Sequence, residues 1–268
     1  MKSTLIRKSR FSITAILAAA LSLAGISALA APVASSARTF KPHSASLHAL
    51  DAQISSFLNT KYAKHAHLRG VRARTSDRVV TLNGSVPDYR AFLEANHIAR
   101  QVSSVNGVID HIAVRAPYVP DASLQKTIDQ RLVYSRLGMG QIFNGISTKV
   151  NHGVVTLSGQ VVDYPSRDSA LDIVDDTTGV KGVVDHVKVA PLSPFDNQIR
   201  FEAARAIYRN PELSKYALDP AHPIRILVNN GHVTLWGVVD SKMDKQLAFM
   251  AVNGLPNVFS VKNDLVVK

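Results

Sequence analysis

Val79-Val80-Thr81-Leu82-Asn83-Gly84-Ser85-Val86 returns as Val154-Val155-Thr156-Leu157-Ser158-Gly159-Gln160-Val161, and again as His232-Val233-Thr234-Leu235-Trp236-Gly237-Val238-Val239. Each copy is a β-branched, alternating run with a glycine near its end, the pattern of a half-buried strand whose glycine permits a bulge or a close backbone approach. Gly84 and Gly159 are 75 residues apart, and Gly159 and Gly237 are 78 apart. A fixed period of this kind means one module repeated three times.

Working outward, the flanks keep the same register. Val71 to Arg74, Ile146 to Val150 and Ile224 to Val228 alternate as first strands, and Val108 to Val114, Val183 to Val189 and Val261 to Val267 read as third strands. A helical pattern precedes each pair: Leu47, Leu50, Ile54 and Leu58, then Leu124, Ile128 and Leu132, then Ile199, Ala203, Ala206 and Ile207. Spacings of three and four place each set on one face of a helix.

A second helix follows each hairpin, opened by Asp88, Asp163 and Asp240-Ser241, whose side chains accept the free amides of a first turn. Ser241 with Asp244 resembles a capping box. Its inward face aligns as Ala95, Ile98 and Ala99, then Ala170, Ile173 and Val174, then Ala248, Ala251 and Val252. Glycine or proline ends it, at Gly107, at Gly179 and Gly182, and at Gly254 and Pro256.

The fold class expected is α+β: three tandem small αββαβ modules, each a three-stranded sheet with two helices on one face. The boundaries are 44–116, 121–190 and 195–268. Proline-bearing stretches at Pro117 to Pro120 and Pro191 to Pro194 separate them, which suggests beads on short stiff links.

Residues 1–30 read as a signal peptide. Lys2, Arg7, Lys8 and Arg10 precede an apolar run from Ile13 to Leu29 that ends in small residues, with cleavage expected after Ala30 and Ala37 as the second choice. The alternative is a retained membrane anchor. Residues 31–43 are rich in Ala, Ser and Pro and read as a flexible leader. The chain has no cysteine, so disulfides and lipid attachment at a cysteine are both excluded. The expected location is the periplasm.

The net charge is +11. The first module is the most basic, with nine Lys and Arg against five Asp and Glu, whereas the second has seven against eight and the third nine against seven. Outside the cytoplasm a basic surface meets anionic lipid rather than nucleic acid, and each basic group near it contributes roughly 1 kcal/mol. Arg72, Arg74, Arg78 and Arg90 are the candidates for lipid or partner binding, Arg72 and Arg74 lying on the same side of one strand. The plainer reading is a solvated strand face that keeps the protein soluble.

The order of elements and the phrase Val-Thr-Leu-x-Gly-x-Val, followed by a helix and Gly-Val-x-x-Val, resemble the BON domain of bacterial periplasmic and outer-membrane-associated proteins. The resemblance covers nearly all of residues 44 to 268. It is closest in the second copy, with Asn151-His152-Gly153-Val154 and Val180-Lys181-Gly182-Val183-Val184-Asp185. The third copy substitutes Pro256-Asn257 near the expected glycine, and the first lacks an Asn-Gly turn before Val79. The resemblance implies a non-catalytic module associated with envelope maintenance, osmotic or other stress, and contact with phospholipid, the outer-membrane surface or envelope proteins.

Catalytic signatures are missing: there is no nucleophile elbow, phosphate loop or zinc motif, and no paired active-site carboxylates. No enzyme activity, cofactor or metal is expected. His43, His48, His65 and His67 gather near the start of the first module, but no carboxylate stands at ligand spacing from them in sequence. Asp110-His111 and Asp185-His186 recur, yet neighbours on a strand point to opposite faces, which reads as structural. Gly179-Val180-Lys181-Gly182 resembles the Gly-x-x-Gly of RNA-binding KH modules, but it joins a helix to a strand rather than two helices. Trp236 is read as packing against an adjacent module or dipping into a membrane interface. Gly84, Gly159, Gly237, Gly107 and Gly182 are read as structural. The other functional classes left open are a scaffold or chaperone-like partner of envelope proteins and a sensor of a small ligand or ion.

Overall fold

A computed structural model describes residues 43–134, 142–191, 193–218 and 223–268, together with Leu5 and Ile6. The expected signal peptide, apart from those two residues, and nearly all of the leader lie outside the described residues.

The first module runs α1 (His43–Lys64), a 3-10 turn (Ala66–Leu68), β2 (Val71–Ser76), β3 (Val79–Val86), α2 (Tyr89–Arg100) and β4 (Gly107–Val114). The second runs α3 (Asp121–Tyr134), β5 (Gly145–Asn151), β6 (Val154–Val161), α4 (Tyr164–Asp175) and β7 (Gly182–Val189). The third runs α5 (Pro194–Tyr208), the single turn α6 (Lys215–Leu218), β8 (Arg225–Asn229), β9 (His232–Val239), α7 (Lys242–Asn253) and β10 (Ser260–Val267). The helix-strand-strand-helix-strand order is therefore repeated three times. Leu5–Ile6, labelled β1, pairs antiparallel with β7, Leu5 opposite Asp185 and Ile6 opposite Val184.

In every module the repeated phrase is the central strand. It pairs antiparallel with the strand before it, and in the second and third modules its parallel pairing with the strand that follows a helix is in register, Leu157 opposite Asp185 and Leu235 opposite Asn263. Alternation sends Val80 and Leu82, Val155 and Leu157, and Val233 and Leu235 inward. Each such leucine contributes roughly 1.5 to 3 kcal/mol when fully buried. The helices cover this face: Ile54 and Leu58, Leu124 and Ile128, and Ile199 and Ala203 are all buried. So are Ala95, Ala170 and Ala248, whose small side chains let the second helix approach the sheet closely. In the second and third modules the two helices also touch each other, α3 against α4 and α5 against α7, so they share one side of the sheet.

The second helices are capped as their sequences require. Asp88 accepts the amide of Ala91 at 2.8 Å, Asp163 that of Ser166 at 2.8 Å, and the Ser241 hydroxyl that of Asp244 at 3.0 Å. The Asp244 carboxylate accepts the Tyr216 hydroxyl at 2.6 Å and pairs with Lys215 at 3.0 Å.

The three hairpins share one turn. Its two central residues have positive φ in every copy: Asp77 and Arg78 at 52° and 63°, His152 and Gly153 at 51° and 76°, Asn230 and Gly231 at 50° and 75°. Two positive φ values in a two-residue hairpin define a type I′ turn, whose twist matches that of the strands. The first copy thus makes the same turn without glycine. Arg78 is held in the left-handed region by the Asp51 carboxylate, which accepts the amides of Asp77 and Arg78, both at 2.9 Å. The other copies repeat the device. Asp121 accepts from His152 and Gly153 at 2.7 and 2.9 Å, and Asp196 from Asn230 and Gly231, both at 2.9 Å. One aspartate of the first helix latches the hairpin turn in each module.

The described residues form two compact units, one made of Val114–Lys268 with Val86–Leu93 and β1, the other of the remainder of the first module. Within the first unit the expectation of separate beads is corrected. The second and third modules pack on each other: Phe143, just ahead of β5, is buried in the core of the third module beside Ile199, Ile226 and Val228. Its ring meets Phe201 edge-on at 5.6 Å, and Gln160 donates to the Val228 carbonyl at 3.2 Å.

Candidate functional site

The four arginines singled out from sequence do not form one patch. Arg72 and Arg74 are exposed on the open face of the first sheet, Arg72 opposite Asn83 and Arg74 opposite Thr81. Their neighbours on the strand, Val71 and Ala73, are buried on the helix side, as alternation demands. Arg72 also donates to the carbonyls of Arg69 and Val71, at 2.7 and 2.9 Å. Arg78 belongs to the turn: its Nε donates to the Ser104 carbonyl at 2.7 Å, and its own carbonyl accepts the Asn106 amide at 2.8 Å. Arg90, in the other unit, pairs with Asp176 at 2.8 Å and lies 3.7 Å from Asp172. Two arginines of the four are therefore presented to solvent on one sheet face.

The glycines divide too. At Gly84 and Gly159, with φ of 122° and 123°, an added Cβ would overlap the carbonyl oxygens of Gly70 and Gly145; at Gly237, with φ of 139°, it would stand 2.8 Å from that of Pro223. A methyl at Gly107 would meet only Val79 Cγ1 at 4.0 Å, and Gly182 is the buried first residue of β7. Gly179, read in sequence as a helix end, is a further demanding position at φ 97°, and its counterpart 78 residues on is Asn257 at φ 64°. Asparagine is one of the few side chains that visits this region readily, so Pro256-Asn257 keeps the backbone path that glycine gives the second copy.

The recurring Asp-His pairs are structural in their geometry. Asp110 accepts the Ile112 amide at 2.9 Å and Asp185 the Val187 amide at 2.8 Å, while Asn263 takes the equivalent place by accepting from Leu265 at 3.4 Å. Asp185 is buried against Arg167. His111 and His186 are exposed on the opposite face.

Two groupings emerge that sequence order does not reveal. A cleft of about 290 Å³ lies between the second and third modules, lined by Gln125, Asp129 and Leu132 of α3, Thr148 of β5, and Arg225 and Trp236 of the third module. The Arg225 guanidinium lies 4.9 Å from the centre of the Trp236 ring, its cross-strand partner. Burial lowers the Arg225 pKa from its ordinary value. Burial also raises that of Asp129, against the lowering effect of the Thr148 hydroxyl. Trp236 thus serves as a wall between modules.

The second grouping joins two of the histidines to a carboxylate. Glu94 of α2 carries the carboxylate that sequence spacing did not supply: its Oε2 lies 2.7 Å from His67 Nε2 and its Oε1 lies 3.4 Å from His65 Nδ1. His48 is not part of this group. The three ligand atoms lie within 4.8 Å of one another.

A three-stranded sheet backed by two helices, repeated three times in the order helix-strand-strand-helix-strand, defines an α+β tandem-repeat protein. The BON domain model matches residues 49–116, 120–191 and 196–268, and the chain belongs to that family. It is 29% identical over 126 residues to the osmotically-inducible protein Y of Escherichia coli strain K12, a match spanning 46% of this chain and 62% of that protein, less than two thirds of its length. It is 30% identical over 147 residues to an uncharacterized protein in the gshII 5′ region of Anaplasma centrale, spanning 52% of this chain and 94% of the relative. Among solved structures, CdsD, a structural protein of the type III secretion system of Chlamydia trachomatis, is similar at 14% identity over 81% of this chain and 91% of that one. Its TM-score is 0.24. No helix among the described residues is long and apolar enough to cross a membrane.

Proposed function

We propose that this protein is an exported, non-catalytic envelope protein that docks on anionic phospholipid head groups and supports envelope integrity under osmotic stress. The likeness to the osmotically-inducible protein of E. coli supports the stress setting. The basic, apolar and small-residue order of residues 1–30 supports export to the periplasm. The observation that carries the lipid reading is the exposed pair Arg72 and Arg74 on the open face of the first sheet, flanked by the polar Thr81 and Asn83. Guanidinium groups bind phosphate oxygens bidentately, and tandem modules raise avidity from weak sites.

Co-sedimentation of the purified protein with anionic and with zwitterionic vesicles, at low and physiological salt, tests the proposal. Binding to anionic vesicles alone, weakened by salt and reduced several-fold in Arg72→Gln/Arg74→Gln, is expected. Arg90→Gln should bind as the wild type does. Equal binding by the double variant would overturn the assignment of the face, and no binding to either vesicle would favour a protein partner in the envelope. The cleft beside Trp236 supports a second reading, a small-ligand sensor, which a ligand-dependent rise in melting temperature would reveal.

A further inference from the structure

We infer that His65, His67 and Glu94 form a binding site for one divalent transition-metal ion of borderline softness, Zn²⁺ or Cu²⁺. Two imidazoles and one carboxylate are a donor set suited to these ions and poorly suited to Mg²⁺ or Ca²⁺, which take oxygen ligands. The same set, with an open position, binds zinc in well-known three-ligand centres.

The geometry is close to what an ion requires. Tetrahedral ligands about 2.0 to 2.2 Å from zinc stand about 3.3 to 3.6 Å apart. Here the Glu94 carboxylate already spans both rings, at 2.7 and 3.4 Å, and the widest separation in the set is below 4.8 Å. The side chains are 35 to 41% exposed, so small rotations close the remaining gap and the ion has a path from solvent.

The backbone beneath is fixed. Tyr62, fully buried near the end of α1, donates its hydroxyl to the Ala95 carbonyl at 2.8 Å, one residue from Glu94. The Leu68 side chain, one residue past His67, is fully buried, and the Leu68 amide bonds to the His65 carbonyl at 3.0 Å across the 3-10 turn. The ligands therefore start from anchored positions although 27 residues separate His67 from Glu94. A bound ion would retain an outward-facing position for water or for a donor group from another molecule.

The test is calorimetric titration of the metal-free purified protein with Zn²⁺, paired with Cu²⁺ electron paramagnetic resonance. The expected result is one site, with affinity reduced at least tenfold in His67→Gln and in Glu94→Gln. Both variants keep a hydrogen-bonding side chain, and an unchanged melting temperature of the metal-free forms verifies folding. The copper spectrum should show coupling to two imidazole nitrogens, falling to one in His65→Ala, while His111→Ala, an exposed histidine of the same module, leaves both readouts unchanged. Equal affinity in wild type and the His65→Ala/His67→Gln/Glu94→Gln variant, or a copper spectrum indifferent to His65, would overturn the site.

Discussion

At Gly159 the chain bends through φ 123° where the Gly145 carbonyl oxygen occupies the space a side chain would take. Gly159→Ala is expected to lower stability by about 2 to 4 kcal/mol, from backbone strain and local overpacking together. Gly254 closes α7 at φ −95°, and a methyl group added there would find nothing within 4 Å. Gly254→Ala should be neutral or stabilising by up to about 1 kcal/mol, and urea denaturation of the two variants checks the contrast. The importance of Gly159 was legible because the same phrase carries glycine three times. That of Gly179 was legible only as a helix end, since its counterparts are Ser104 and Asn257 and no residue type recurs. Glu94 was invisible for a different reason: metal-ligand spacing is read locally, whereas this carboxylate reaches the histidines by folding of α2 over the end of α1.

Among the elements, the latch between first helix and hairpin is the contact that sequence patterning misses. Asp51, Asp121 and Asp196 recur 70 and 75 residues apart, but the amides they accept lie 26 to 35 residues further on, beyond the reach of capping rules. For Asp121 the amides of Gly153 and His152 lower the carboxyl pKa below its ordinary 3.8. The stabilisation is then fully present above that ordinary value and is lost as pH falls through the lower folded value. Melting temperature followed from pH 5 downward should therefore fall less steeply in Asp121→Asn than in wild type. Asp240 and Asp244 are also lowered, Asp240 chiefly by Lys215, and Asp244, against its burial, by Tyr216 and Lys215; they act with the same sign, so it is the difference between the two curves that isolates the latch. Helices, strands, caps and the type I′ turns of the second and third copies follow from local pattern; the first copy's turn, made by Asp77-Arg78, follows from Asp51.

On the scale of the molecule, three repeats do not make three equivalent bodies. Phe143 lies in the sequence of the second module and is buried in the core of the third. Phe143→Ala is expected to cost about 3 to 5 kcal/mol and to lower the melting transition of the third module, separating it from that of the second in calorimetry. A single shared transition with an unchanged midpoint would mean that the aromatic contact does not couple them. The pattern of apolar residues could not announce this, because Ile142 and Phe143 read like the start of any strand. The charge pattern marks the first module as the basic one, and of its chosen arginines only Arg72 and Arg74 stand together on the open face.

The placement of Phe143 also bears on how such a chain can be inherited and rearranged. A unit of about 75 residues recurs along the chain, but the third copy completes its interior with a residue encoded upstream of its own boundary. A gene fragment cut at the family boundaries would carry the third repeat away without that ring and leave the second repeat displaying it to solvent. Recombination that respects folding must move the last two repeats as a pair, whereas the latch of every repeat lies wholly within its own sequence. The unit that recurs in the sequence and the unit that can be transplanted are not the same.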